Sequence, residues 1–412
     1  MNKEDIILIE NEIKGCFDYF WNEISFDDDT FGLVRDKTGN DNSSIAAIGF
    51  SIPAYVIGVE RGFVTFDEAR IRILKTIETL KRIKRHHGFF PHFIDMETGL
   101  NNKSEYSTID TSILLIGGIV GAEYFGGTIK EEIYKLIDEL DWDYFITERN
   151  GLLQIIMAYS DYYWKDNLGF CPATWDQYAE HIMMYFLIAG RKDVSKDKAL
   201  KLYNGFIRHN DRYSKYDVVH CYSNPLFIHQ FTHAFFPFQE YLDCNGFDWF
   251  QNSINATLAN REFCMRNKHF KTYHKNSWGL TAFQGEKGYK VFGSKPYGLP
   301  NIKYNQRLDG SVAPYASLCS INFTPRESIH ALRYFQTIPG LIKKYGLTDS
   351  YNLDTNFVSD IYLGIDKGPT IIMLDNFLNG TTWKYFMSSE FIKNSINKLN
   401  FKRKGEEKNE KN

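Results

Sequence analysis

Three carboxylates, Asp110, Glu180 and Asp366, stand at or just before the N-terminal end of helical stretches that are apolar on every side. Glu180 shares a helix face with Asp176, Gln177, Met183, Met184 and Leu187, so it points the same way as a buried stripe. Apolar neighbours desolvate a carboxylate and raise its pKa, and a proton held near neutral pH is what a general acid needs. Asp110 falls in the first turn of its helix, where the dipole and free N–H groups favour an anion suited to base work or ligand binding. Asp366, in YLGIDKGP, follows the same logic, with Gly364 and Gly368 leaving room for a ligand. Each also has a plain alternative. Glu180 would serve equally as an Arg partner or a helix cap, and the aspartates as ordinary N-terminal acids.

Other side chains are candidates for holding a substrate. Asp95 and Glu105 flank the entrance to the Asp110 helix. Asp309 sits in RLDGSVAP, where Asp-Gly also marks a turn for conformational reasons alone. His229 and His233 have the i, i+4 spacing of two metal ligands, but no HExxH glutamate and no third ligand accompany them. Hydrogen bonding to a polar substrate, or a structural bond, is the better reading, and no metal or cofactor is expected. His86, His87 and His92 share one loop and are similarly open. Aromatic residues make up 16% of the chain, and Tyr178, Trp278, Trp164, Tyr289, Tyr297 and Tyr304 lie near Gly, Asn and Asp. Amphipathic rings of this kind suit a wet cleft in which they stack on a sugar face. P-loop, GxGxxG and GxSxG motifs are missing, so nucleotide and serine-hydrolase chemistry have no support.

Positioning distant acids together is the work of the helices behind them. Residues 46–58, 109–122, 182–189, 226–238, 314–321 and 370–378 form six enclosed stretches that alternate with six longer amphipathic ones. A helix without a polar face must be covered on all sides, whereas one with an apolar stripe covers something and faces water. Two concentric rings satisfy both, which predicts an all-α fold, an (α/α)6 barrel of six inner and six outer helices. Thr65-x-x-Glu68, Thr174-x-x-Gln177 and Thr324-x-x-Glu327 read as capping boxes. They place helices to about residue 84, over 178–189, and to about residue 345. Residues 226–242 read as one helix starting after Asn224-Pro225, and a strand is predicted over 152–160. Short strands and long loops, above all 276–313, would build the cleft.

Composition narrows the partners. At 412 residues with no linker, the chain reads as one domain over 1–400 followed by a disordered charged tail, 401–412. A net charge of −3 with dispersed Lys and Arg speaks against nucleic acid or an anionic membrane as partner. No run reads as a transmembrane span, and the N-terminus has acids inside its apolar stretch, unlike a signal peptide. With six scattered cysteines and no CxxC pair, reduced thiols in a cytoplasmic protein are the expectation.

Seven motifs occur in order: GFFPHFIDMETG, SEYSTIDTSILL, YAEHIMMYFLIAG, PLFIHQFTHAFF, NSWGLTAFQG, DGSVAPYASLCSINFTPRESIHALRYF and YLGIDKGPTIIMLDNF. Together, across residues 87–387, the chain resembles the glucoamylase-like family of (α/α)6 barrels, known for bacterial endo-β-1,2-glucanases of glycoside hydrolase family 144. The resemblance implies hydrolysis inside a β-1,2-glucan chain, with inversion and without a metal. It also implies that Glu180 is the essential glutamate and that Asp110 and Asp366 are the acids accompanying it. The chain departs from the family pattern at Ala179 and His181 beside Glu180, and at Pro237 and Gln239 after the His pair. Two alternatives follow: a sugar epimerase on the same barrel, with a His on each side of the abstracted proton, or a glycan-binding relative without catalysis. The oligomeric state is left open.

Overall fold

The computed structural model describes residues 1–300 and 302–405. Its helices, in chain order, repeat the alternation of polarity. α1 (Lys3–Asn22) opens on a capping box between Asn2 and Asp5 and buries Ile9, Ile13, Phe17 and Phe20. α2 (Ile45–Glu60) is buried from Ile45 to Gly58, whereas α3 (Phe66–Arg82), opened by the Thr65–Glu68 box, buries a stripe. α4 (Thr108–Phe125) is enclosed; α5 (Gly127–Asp138) buries only Ile129, Ile133, Leu136 and Ile137. A single turn, α6 (Trp142–Phe145), precedes the enclosed α7 (Ile182–Gly190) and the half-exposed α8 (Lys196–Tyr203). Enclosed α9 (Phe231–Phe235) is followed by α10 (Trp249–Arg266), enclosed α11 (Pro314–Cys319) by α12 (Pro325–Phe335). α13 (Gly364–Leu378) is buried from Asp366 to Asn376, and α14 (Thr381–Ser388) and α15 (Glu390–Lys398) complete the set.

Packing follows burial. α2 lies against α4 and α13, α4 also against α7, and α13 also against α9 and α11. The half-exposed helices cover them: α1 on α2 and α13, α3 on α2, α5 on α4, α8 on α7 and α12 on α11. At the α2–α4 contact a Cβ on Gly117 would stand 2.0 Å from the Gly49 carbonyl oxygen. Only glycine lets these backbones touch, and a methyl group there would cost about 1–3 kcal/mol or more of overpacking. α4 is long and apolar enough to cross a membrane, but 78% of that stretch is buried inside the protein. All six cysteines are free.

The chain is mostly helical, but the described residues also contain eight two-stranded sheets. Asn42–Ser44 pairs with Phe93–Asp95, and Tyr106–Ser107 with Ala158–Tyr159, immediately ahead of α2 and α4. Ala282–Gly285 and Gly288–Val291 form a hairpin within the long 276–313 segment.

Four local expectations fail for physical reasons. The 226–242 helix breaks into a 3-10 turn (Leu226–His229), α9 and a second 3-10 turn (Phe238–Glu240). Pro237 has no N–H to donate and restricts Phe236, which is extended. Thr174 and Gln177 form no capping box, because Thr174 donates to Gln154 at 2.7 Å and Gln177 accepts the Tyr222 amide at 3.0 Å. α7 therefore starts at Ile182, leaving Glu180 in the turn before it. α12 has no side-chain cap and ends at Phe335, ten residues or so short of expectation. The start of the tail is also ordered: Phe401 is buried and Lys402–Arg403 pairs with Tyr241–Leu242. Residues 406–412 of that tail lie outside the described residues.

Candidate active site

Asp110 on α4, Glu180 before α7 and Asp366 on α13 line one cavity of about 480 Å³, together with Asp36, His92 and Tyr289. A neighbouring cavity of about 350 Å³ shares Glu180, Phe227, Ala282 and Tyr289 with it. Glu180 and Tyr289 of the hairpin thus stand where the two meet.

The turn that carries Glu180 is pinned by the Thr232 hydroxyl, which donates to the Glu180 carbonyl at 2.7 Å. Burial, and to a lesser degree the charge of Asp110, pushes the Glu180 carboxyl up to about 7. Beside it, His181 is fully buried and stacked on Trp175. Burial there pushes the imidazole down to about 3, so it is neutral.

A charged network stands behind Asp110. The Ser107 hydroxyl accepts the Asp110 amide at 3.2 Å, fixing the first turn of α4. His92 bonds Glu105 through Nδ1 at 2.9 Å and places Nε2 3.8 Å from Asp110 Oδ1. Burial would push this imidazole down, but Asp110, Glu105 and Asp36 outweigh it and raise it to about 9. His92 is therefore a cation at neutral pH. Its bond to Glu105 in turn holds that carboxyl below its usual range despite burial. Glu105 does not line the cavity; it holds the residue that does.

Around Asp366 the balance is opposite. Burial, followed by the nearby Asp349 carboxyl, raises Asp366 well above the carboxylate range. Asp349 itself is pushed up to about 6 by burial. The adjacent cation, Lys367, is bonded at 2.8 Å to both Glu12 Oε1 and the Leu347 carbonyl.

The remaining candidates are placed elsewhere. Asp95 accepts from the amides of Glu97 and Thr98 and from the Thr98 hydroxyl, closing its own turn. Asp309 pairs with Lys290 and accepts the Ser311 amide at 2.9 Å, tying hairpin to turn. Neither lines the two cavities. His229 is fully buried on Asn224 at 2.8 Å, and His233 is buried on Ser253 at 2.9 Å. Both serve the core, not the cleft: His229 ends the 3-10 turn, His233 lies on α9, and their rings meet Asn252 and Ser253 of α10. Trp278 is also wholly buried. Tyr178 lines the second cavity at its edge but is nearly enclosed, its ring stacked on Trp249 with centroids 4.6 Å apart. Trp164, Tyr297 and Tyr304 line neither cavity. Among the described residues, no group of three His, Cys, Asp or Glu could hold a metal ion.

Asp36 and Asp349 are the acids that sequence reasoning missed. Both lie in connecting segments with no periodic pattern, and Asp349 falls in a turn-like GLTDS run that signals only a loop. The motif YLGIDKGP gave Asp366 away; no comparable signal marks its neighbour.

The family model described as "Putative glucoamylase" (Glycoamylase) matches residues 172–390. The chain is 25% identical, over 95% of its length, to an exo-β-1,2-glucooligosaccharide sophorohydrolase (non-reducing end) of Parabacteroides distasonis. It spans 57% of the length of that relative. Among solved structures, an endo-β-1,2-glucanase of Chitinophaga pinensis, in complex with sophorotriose and glucose, superposes with a TM-score of 0.83. That match has 25% identity and covers 97% of this chain and 98% of the other. A Bacteroides uniformis protein of the same description as the family superposes with a TM-score of 0.85 at 26% identity, covering 98% and 99%. A match over more than half of its residues, spanning Glu180 and Asp366, makes this chain a member of the glycoamylase family.

Proposed function

We propose that this protein is a glycoside hydrolase that cleaves β-1,2-glucan within the chain, with inversion, using Glu180 as general acid and Asp366 as base. The single observation that carries this reading is the convergence of Asp110, Glu180 and Asp366, from three distant helices, on one cavity. Both the Parabacteroides and the Chitinophaga relatives act on β-1,2-linked glucose, which supports the same linkage here. A unit in which α2, α4, α7, α9, α11 and α13 close as the inner ring of an (α/α)6 barrel accounts for that convergence. Residues 1–400 then form one catalytic domain.

In this reading Glu180 gives its proton to the glycosidic oxygen as the bond to the anomeric carbon breaks. A water on the opposite face loses a proton to Asp366 and bonds to that carbon. The sugar product leaves with inverted configuration, and the two carboxyls of such a pair stand roughly 6.5–9.5 Å apart. Asp110, held beside the His92 cation, binds sugar hydroxyls. Tyr289, which lines both cavities, is placed to stack on a glucosyl ring. The substrate is an oligo- or polysaccharide, and no step calls for a metal or cofactor.

The test is release of reducing ends from a panel of glucans, β-1,2-glucan first, with product sizes and anomeric form recorded. Medium-length products from a long chain support endo action, and disaccharide alone from the outset overturns it. Glucan bound and never cleaved would assign the chain to binding without catalysis. An epimerase would isomerise sugar without releasing reducing ends, and its paired imidazoles find no counterpart in His229 and His233, which are bonded away in the core.

A further inference from the structure

Asp349 enters no step above, yet it lines one small pocket with Asp366, Lys367 and Tyr315, and each of the two carboxyls acts on the other's proton. It is buried just ahead of the short strand Tyr351–Asn352, where its Oδ2 accepts the Gln284 amide at 2.5 Å. Its other oxygen, Oδ1, is sealed from solvent with no donor. Asp366 Oδ2 is sealed without a donor as well. Two ionised carboxylates so placed would repel each other, in addition to losing their hydration.

The surroundings offer no cation to relieve this. Lys367, the nearest, is committed to Glu12 and a carbonyl. Lys37 bonds Gln284 Oε1 at 3.3 Å and faces Asp349 only at longer range. The other titratable groups turned toward Asp366 are Asp36 from a loop, Tyr289 from the hairpin, and Tyr315 and Cys319 from α11; one is acidic and three are neutral at pH 7. The Tyr315 hydroxyl also faces Asp366 and favours its anion, but its own hydrogen goes to the Ala282 carbonyl at 2.9 Å, with Thr281 at 3.0 Å. One hydrogen between the two orphan oxygens resolves both defects at once.

We propose that Asp349 and Asp366 share a single proton, held between Asp349 Oδ1 and Asp366 Oδ2, and that Asp349 is a positioning residue for the base. Because Oδ2 is sealed and occupied, the oxygen left to take a proton from water is Asp366 Oδ1. The resting pair carries one proton and one negative charge. When water is cleaved, its proton goes to the pair, which becomes neutral, while Glu180 is left as carboxylate. The extra proton passes to solvent after product leaves, and Glu180 regains one from solvent, so no proton is gained or lost overall.

The assignment of Asp366 as base rests on the hydrolase reading; the shared proton does not, and it is testable without substrate. In E180Q protein, which silences Glu180, infrared difference spectra at pH 7 should contain the carbonyl band of one protonated buried carboxyl. That band should vanish in E180Q/D366N, which leaves Asp349 at about 6, and shift in frequency in E180Q/D349N, where burial keeps a proton on Asp366 that is no longer shared. Its absence from E180Q, its survival in E180Q/D366N, or an unshifted band in E180Q/D349N overturns the proposal. A second readout is thermal unfolding from pH 6 to 9. The shared proton gives the folded state a raised pKa, so stability must fall as pH rises through it. E180Q/D349N should therefore show a shallower fall than E180Q; parallel curves, the mark of a purely structural role, overturn the proposal. Failure of the infrared prediction with β-1,2-glucan still cleaved condemns the shared proton alone. A clear band with no glucan cleaved condemns the hydrolase reading alone.

Discussion

His92 and the pair His229 and His233 are all largely withdrawn from water, yet they hold opposite charge states. At the cleft, Asp110, Glu105 and Asp36 surround His92 and lift it to about 9. In the layer beneath, His229 and His233 meet Asn224, Asn252 and Ser253, with no carboxylate bonded to either ring. Burial there is the leading influence; it drives His229 well below its usual value and His233 down to about 3. Burial alone makes a histidine a neutral piece of core. Burial beside uncompensated acids makes it part of a reactive surface. The same contrast separates Glu180 and Asp366, left with raised proton affinity, from Asp309 and Asp95, which their donors hold below the usual range.

The contrast breaks most visibly at Glu180. Glu180→Gln should lower kcat on β-1,2-glucan by about 10²–10⁴-fold with little change in binding, measured by reducing-end release and calorimetry. Wild-type activity in this variant would remove the proposed acid. Asp366→Asn should cost a comparable factor in kcat. Asp110→Asn should act mainly on KM, and a reversal of that order would exchange the two aspartates' roles.

The pH profile sharpens the comparison next. Glu180 acts in its protonated form, so activity should decline as pH rises through about 7. A decline that persists in a catalytically impaired but active variant of another residue, such as Tyr289→Phe, locates it in Glu180. At the two histidine sites the effects should separate by type. His229→Gln and His233→Gln should cost about 1–3 kcal/mol of stability, seen in denaturant unfolding, with kcat/KM kept. His92→Gln should do the reverse. The smallest expected effect is a gain. Glu180's folded value of about 7 lies above the ordinary 4.5, so its ionisation costs stability as pH rises through that interval. Glu180→Gln should then be more stable than wild type at pH 8, by up to about 3 kcal/mol, and not at pH 4.

Helix polarity was the legible part of the fold. The six enclosed stretches stand out because a side chain's greasiness is a local property, and five of them form buried helices close to the expected bounds. The sixth, 226–238, was read correctly as enclosed but not as broken, since Pro237 acts on backbone geometry and leaves apolar periodicity intact. Capping was legible at Thr65, where both partners are near in sequence and exposed. It was misread at Thr174 and Gln177, whose side chains found Gln154 and Tyr222. A long-range hydrogen bond competes with a local one, and only the folded chain decides between them.

For the site, the chain by itself determined which acids stand at the starts of buried helices, because helix ends and apolar faces are written in neighbouring residues. Asp110, Glu180 and Asp366 were all found that way. What only the tertiary structure decided was each acid's company: His92 beside Asp110, Asp349 against Asp366, and Asn224 and Ser253 taking the His pair out of the cleft. Proton affinity depends on burial and on charges a few ångströms away, and those neighbours come from parts of the polypeptide that no local pattern connects.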